Sequence, residues 1–428
     1  MIPRKVFISI AAYREYDLEK TIKNAIDNAS NPDELRFVVC WQHADDEKLD
    51  LFINDDRVEV IDINYRESKG VCWARNLIQS RYDNESYFLQ IDGHHRFARD
   101  WDLRLINMLE GLKSDGIEKP ILTTYLPSYD PYNDPEGRNN NVWLLGLDRF
   151  EPSGVVFMKP FLLMTPEERP IPGRFWSAHF SFSDGLFNKE VVIDPNGYFH
   201  AEEISTCVRA WTHGYDFFSP NETLLWHEYS RKGRVCHWDD HQNWTHLHAS
   251  AIARYRSQFG LDGVKQVDLS PYGFGNKRSF REYERYAGIC FSNRGVEQDA
   301  IINKVAVNTS DQRNYDEWRN SLTKSHDIDI RFSRDIVNES DSTLYLAIFA
   351  HDSCGVEIFR KDLSRLEIDN LLQSQTDDTI GYHISFFSID VPISWTLWAG
   401  CESKGWMTKV DGVWPSPSGP SITDYPLK

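Results

Sequence analysis

Apolar and polar positions change period several times along the chain, and those changes divide it into elements. Residues 5–12, 35–41, 57–63 and 86–91 are short, nearly continuous apolar runs bounded by polar turns. Runs of that length predict strands buried on both faces. Between and after them, 17–29, 70–82 and 100–112 carry apolar residues at helical spacing. Strands alternating with helices in this way predict an α/β fold, Rossmann-like, with right-handed crossovers and a mainly parallel sheet. Ligands of such sheets lie beyond the strand carboxyl ends, so residues 11–14, 42–46, 66–75 and 92–97 are expected to meet there.

Farther along, 127–141 is rich in Pro, Asn, Tyr and Asp and reads either as a loop over a site or as a surface insertion. Residues 155–164 predict another strand. Residues 176–187 mix aromatics with small and polar groups, including Trp176 and His179. They suit a sugar-facing wall, because aromatic faces stack on pyranose C–H surfaces, or else an aromatic core strand. Residues 204–213 predict a helix opened by Ala201-Glu202-Glu203, whose carboxylates at the N-terminus are favoured by the helix dipole. Short strands at 217–220 and 223–226 end in His227, followed by Arg231, Lys232 and Arg234 in a glycine-containing loop. A helix, a loop and a second helix over 250–288 close a first domain, 1–291. In 292–428, strand-like runs at 328–332, 342–351, 355–360, 382–389 and 393–398 predict a β-sandwich-like accessory domain.

Composition narrows the function classes. With 65 acidic and 47 basic side chains the formal charge is −18, the opposite of a nucleic-acid footprint and unfavourable for anionic membrane surfaces. Seven cysteines, odd in number and without a CxxC pair, predict reduced thiols. The opening residues run straight into a strand, and no apolar run reaches the roughly 18 residues of a membrane span. We therefore expect a cytoplasmic protein without a signal peptide.

The chemistry concentrates where the fourth strand ends, in Asp92-Gly93-His94-His95. An acid and a histidine one position apart at a strand end can face one cation, and the glycine between them lets a diphosphate approach; the alternative is a strand followed by a polar turn. Residues 237–248 carry four further histidines, two of them, His237 and His241, on one helical face. No cysteine accompanies them, so scaffold or lid is the main reading and a zinc hydrolase the alternative.

Several ordered pieces together resemble a GT-A glycosyltransferase: Ala11-Ala12-Tyr13-Arg14, Gly70-Val71-Cys72-Trp73-Ala74-Arg75, Asp92-Gly93-His94-His95-Arg96-Phe97, Ser183-Asp184-Gly185-Leu186-Phe187, Ala201-Glu202-Glu203 and Trp226-His227-Glu228-Tyr229. More closely, residues 1 to about 291 resemble the Skp1-type polypeptide N-acetylglucosaminyltransferases and their bacterial relatives, distant cousins of the mucin-type polypeptide GalNAc-transferases. The resemblance implies a UDP-GlcNAc donor, Mn²⁺ or Mg²⁺ as cofactor, and transfer with retention to a hydroxyl of a polypeptide or glycan. It assigns the metal to Asp92, His94 and His227, with His95 a competitor, and the donor to Ala12, Tyr13, Arg75, Asp92 and Gly93. Arg231 and Lys232 stand where they can help neutralise the diphosphate. Glu202 or Glu203 is expected to position the acceptor hydroxyl, only one of them facing inward because adjacent helix residues point about 100° apart. Asp184 is expected to contact sugar. Alternatives are a catalytically silent sugar-nucleotide or glycan-binding protein, and a capsule or lipopolysaccharide transferase using UDP-GalNAc, UDP-Glc or UDP-Gal. The C-terminal domain does not match the mucin-type lectin domain in any motif, and its solvent face can serve a partner, a glycan or a second copy.

Overall fold

A computed structural model describes residues 6–50, 55–230, 233–306, 313–337, 343–375, 377–402, 405–407 and 409–415. Two compact units divide the chain, one of residues 1–148, 158–288 and 299–310, the other of 149–157, 289–298 and 311–428.

In the first unit, β1 (Val6–Tyr13), α1 (Leu18–Asn28), β2 (Leu35–His43), β3 (Val58–Asn64), α2 (Val71–Gln79), β4 (Tyr87–Ile91), β5 (His95–Phe97) and α3 (Trp101–Ser114) follow the predicted alternation. Then come β6 (Pro120–Thr123), β7 (Trp143–Phe150), β8 (Val156–Leu162), β9 (Ile171–Pro172), β10 (Phe180–Asp184) and α4 (Phe187–Glu190). The unit continues with α5 (Glu202–Thr212), β11 (Asp216–Ser219), β12 (Leu225–His227), α6 (His237–Asp240), α7 (Trp244–Phe259) and α8 (Phe280–Ala287).

Eight strands form the main sheet in the order β3-β2-β1-β4-β10-β6-β11-β9. The pairs β3–β2, β2–β1, β1–β4 and β6–β11 are parallel. β10 enters antiparallel between β4 and β6, and β9 is an antiparallel edge strand. Central strands read as nearly unbroken apolar runs because both faces are covered: β4 is buried at all five positions, and β1 from Val6 to Ile10. Leu18, Ile22 and Ala25 of α1, and Trp101, Leu105 and Leu109 of α3, join Ile8, Ile10, Phe37, Leu89 and Ile91 in one core cluster. The run at 155–164 lies outside the sheet, since β8 pairs with β7 as a two-stranded ribbon.

Arg14 turns the chain at the end of β1 with φ of 46°, a left-handed conformation uncommon for a residue with a Cβ. The turn is held by its amide on the Gln42 carbonyl and by its guanidinium on Glu47 and Asp240. This turn delivers Glu15 and Asp17 beneath the residues that follow β4.

The second unit contains β13 (Ile289–Cys290), β14 (Gly295–Val296), α10 (Tyr315–Asn320), β15 (Thr323–Ser333), β16 (Thr343–His351), β17 (Glu357–Leu363), α11 (Arg365–Ser374), β18 (Thr379–Ser388), β19 (Ser394–Cys401), β20 (Gly405–Trp406) and β21 (Val410–Val413); the short α9 (Gln298–Ile301) stands at the division. Two antiparallel sheets, β13-β14-β15-β18 and β17-β16-β19-β20 with β21 on β19, share one apolar core. That is the sandwich arrangement expected from the short alternating runs. The helix α11 was not expected, although Ser364 and Glu367 form a capping box at its start.

Candidate active site

Parallel packing of β1 to β4 brings Tyr13, His43, Asn64 and Asp92 to one sheet edge, with Ile10 beside Ile91 and Gln42 beside Ile63 in register. Past Ile91 the chain leaves the sheet through Asp92, Gly93 and His94, with Gly93 buried and the other two half-buried, and enters β5, which pairs antiparallel with β12. His227 lies opposite His95 in that ribbon. Its amide donates to the Pro127 carbonyl, and the Glu228 amide donates to the His94 carbonyl. Two segments far apart in sequence thus place Asp92, His94 and His227 so that one ligand atom of each lies within 4.8 Å of the others. Among the described residues this is the one such group of three or more.

Its electrostatics fit a cation. Burial pushes the His227 imidazole well below the ordinary histidine range, so it is neutral and has a free lone pair. Among the described residues neither ring nitrogen of His227 finds a hydrogen-bond partner, though Nε2 lies 3.5 Å from Asp92 Oδ2. Burial alone would raise the Asp92 carboxyl, but His227, Arg75 and His94 around it more than reverse this and hold it well below the ordinary range. A carboxylate and two imidazoles form a mixed oxygen–nitrogen donor set suited to first-row divalent ions.

His95 is not part of this set, although its ring centroid lies 4.9 Å from that of His227. It is fully buried, its Nδ1 donates to the Asp92 carbonyl at 3.1 Å, and burial holds its imidazole well below the ordinary range.

Arg75 is fully committed to carboxylates. Nη1 donates to both Glu202 oxygens at 2.6 Å, and Nη2 donates to Asp92 Oδ1 at 2.8 Å. The two glutamates diverge as their spacing requires: Glu202 reaches Arg75, whereas Glu203 accepts from the Tyr125 hydroxyl at 2.6 Å and the Ala178 amide at 2.9 Å. Burial pushes the Glu203 carboxyl up to about 7. It raises Glu202 too, against the pull of Arg75. Ala12 is buried at the end of β1, and the Tyr13 hydroxyl donates to Asp240 at 2.8 Å.

Three expectations need correction. Trp176 presents no face to a sugar: it is fully buried, its indole donates to Ser181 Oγ, and its ring stacks on Phe187. Trp176 packs in the core but precedes β10, whose strand covers only Phe180–Asp184 of the 176–187 stretch. His179 lies beside the histidine cluster, its ring 4.4 Å from that of His227, yet it is buried, with Nε2 accepting from the Leu126 amide and Nδ1 at 3.2 Å from Ser177 Oγ. Asp184 stands at the opposite sheet edge. Because β10 runs antiparallel to β4, Phe180 pairs with Ile91 and Asp184 with Tyr87, and the carboxylate is bound by Lys113. Arg231 and Lys232 lie outside the described residues.

The histidine-rich segment serves as scaffold among the described residues. His237 stacks on His241 at 3.9 Å, with Tyr198 on one ring and the Tyr65 carbonyl on the other. The 127–141 loop is packed against the β12 side of the site: the Tyr129 hydroxyl donates to Asp17, and the Trp226 indole donates to the Asn139 carbonyl. Residue-by-residue reading missed Glu15, whose carboxylate lies 2.7 Å from His94 Nδ1. Its only mark in the sequence is its place just past the first strand.

A mainly parallel α/β sheet, with an acid–histidine pair leaving its central strand and a second histidine on a neighbouring ribbon, fits the GT-A fold of sugar transferases. The particular family follows from the chain's own residues. The model of the family described as Glycosyltransferase (GlcNAc) matches residues 5–52 and 46–293, and the chain belongs to that family. No curated protein sequence matches the chain. Among solved structures it is similar to GalNAc-T7 with UDP, GalNAc and Mn²⁺, with a TM-score of 0.48 and 13% identity over 95% of this chain and 69% of that one. It is also similar to TarS of S. aureus, with a TM-score of 0.35 and 11% identity over 59% of this chain and 72% of that one. For the mannosyltransferase PcManGT from Pyrobaculum calidifontis the TM-score is 0.35, with 14% identity over 60% of this chain and 63% of that one. The protein is a glycosyltransferase.

Proposed function

We propose that this glycosyltransferase is metal-dependent and retaining, and that it moves GlcNAc from UDP-GlcNAc to a hydroxyl of a polypeptide or glycan. Residues 1–291 would carry out the transfer, and 292–428 would be an accessory module. The observation that carries the reading is the group Asp92, His94 and His227, one potential ligand atom of each lying within 4.8 Å of the others, while both nitrogens of the buried His227 lack hydrogen-bond partners among the described residues. These three residues would hold Mn²⁺ or Mg²⁺. Bound there, the ion supplies Lewis-acid stabilisation of the charge that grows on the leaving diphosphate.

The chain's own groups prepare that site. Arg75 fixes one Asp92 oxygen and leaves the other beside His227. Glu202 neutralises Arg75 and so acts through it, whereas Glu203 is bound by a neutral hydroxyl and a backbone amide. Glu203 is therefore the glutamate to position the acceptor hydroxyl, with a carboxyl that exchanges its proton near neutrality. Ala12 and Tyr13, at the same sheet edge, are assigned to the uridine side.

The test is hydrolysis of sugar nucleotides in the absence of acceptor. UDP-GlcNAc should be cleaved slowly with Mn²⁺, in preference to UDP-GalNAc, UDP-Glc and UDP-Gal. Chelation or Asp92→Ala should abolish cleavage. Full turnover in the Asp92→Ala protein would refute the metal site, and binding of donor without turnover by the wild type would favour a silent binding protein.

A further inference from the structure

Glu15 stands closer to His94 than any group that sequence reading attached to it. Its Oε2 lies 2.7 Å from His94 Nδ1, and its side chain is only 6% exposed. An ionised carboxylate has no proton to give, so the bond takes the proton on Nδ1, and in the neutral ring the lone pair then sits on Nε2. The other Glu15 oxygen accepts from the Asp17 amide at 3.1 Å, which stops the carboxylate from rotating away. Arg234 Nη1 is 4.0 Å from Oε2.

Two neighbouring features hold this pair in register. Thr21 Oγ1 donates to the Gly93 carbonyl at 2.8 Å and accepts from the His95 amide at 2.9 Å, pinning the backbone on both sides of His94. A Cβ on Gly93 would come within 2.6 Å of Glu15 Cγ, so only glycine leaves room for Glu15 to lie along the loop. The glycine between Asp92 and His94 thus also makes room for Glu15.

We propose that Glu15 is a positioning residue: its carboxylate sets the tautomer and the angle of the His94 ring, so that Nε2 is the atom offered to the divalent cation. This rests on the metal reading of Asp92, His94 and His227. Outer carboxylates of this kind raise ligand basicity, and their loss weakens metal binding by about 10–100-fold.

Mn²⁺ titration of the full chain, followed by calorimetry, reads this directly and without turnover. Glu15→Ala should weaken Mn²⁺ binding by about 10–100-fold. Glu15→Gln, which still accepts from Nδ1 through its amide oxygen but without charge, should stay within about threefold of wild type. Gly93→Ala, which pushes an intact Glu15 aside, should reproduce the loss. In a His94→Ala background, Glu15→Ala should have no further effect, an outcome that a general structural role would not give. Wild-type affinity in Glu15→Ala, or an equal loss in the His94→Ala background, would overturn the role of Glu15 while leaving the metal site standing. Should Glu15→Ala fail to fold, Glu15→Gln and Gly93→Ala decide the matter: wild-type affinity in Gly93→Ala overturns the proposal. A wild-type protein that binds no Mn²⁺ overturns the metal reading itself, and the role of Glu15 with it.

Discussion

Replacing Arg75 by leucine tests whether the site is held together by charge. Arg75 and Glu202 are each only 4% exposed in their side chains, and the guanidinium also grips Asp92 at 2.8 Å. Leucine fills much of the volume but leaves two carboxylates facing each other in a desolvated space. Removing one partner of a buried ion pair costs about 3–5 kcal/mol. Glu202 offsets part of this by taking a proton, which burial already favours. With a urea slope of about 3 kcal/mol/M, the unfolding midpoint should fall by roughly 1–1.7 M. Two controls separate charge from packing. Glu202→Leu added to Arg75→Leu should recover most of the loss, because an apolar pair carries no desolvation penalty. Saturating Mn²⁺ should stabilise Arg75→Leu as well, because a cation beside Asp92 takes over the neutralising role and binds only the folded chain. A midpoint unchanged within about 0.2 M would refute the argument, since it corresponds to well under 1 kcal/mol.

Other substitutions check the corrected assignments. Trp176→Ala should destabilise by about 3–5 kcal/mol in urea denaturation, as expected for a fully buried aromatic, with the donor KM unchanged in the folded fraction. Asp184→Asn should leave kcat/KM for donor hydrolysis at the wild-type value, because Asp184 lies at the far edge of the sheet. Glu203 gives stability a pH dependence. Below its ordinary value of 4.5 the carboxyl is protonated in both states and contributes nothing. As pH rises from 4.5 to about 7 the unfolded chain ionises while the folded one resists, so stability falls by on the order of 3 kcal/mol. Glu203→Gln should remove that slope, and denaturation midpoints measured from pH 4.5 to 8 would show it.

Much of the first unit was legible along the chain. The apolar runs that became β1 to β4 are continuous because both faces of those strands are covered, and the intervening helices carry the periodicity of a one-sided apolar stripe. Asp92 and His94 were legible for the same reason, because a buried strand that stops at an acid puts that acid at the sheet edge. The helix α5 announced itself with Glu202 and Glu203 in its first turn.

Strand direction was not legible. The run that holds Asp184 looks the same whether it lies parallel or antiparallel, and only its insertion between β4 and β6 sends Asp184 to the wrong edge. Nor was the meeting of His94 with His227, which rests on the pairing of β5 with β12. Local sequence determined which strands are covered on both faces and where they end, because periodicity and turn chemistry are properties of neighbouring residues. Tertiary structure alone decided that Glu15 lies along Gly93 and reaches His94, that Arg75 bridges Glu202 to Asp92, and that Trp176 belongs to the core. Those outcomes depend on contacts between segments distant in the chain, which no local pattern encodes.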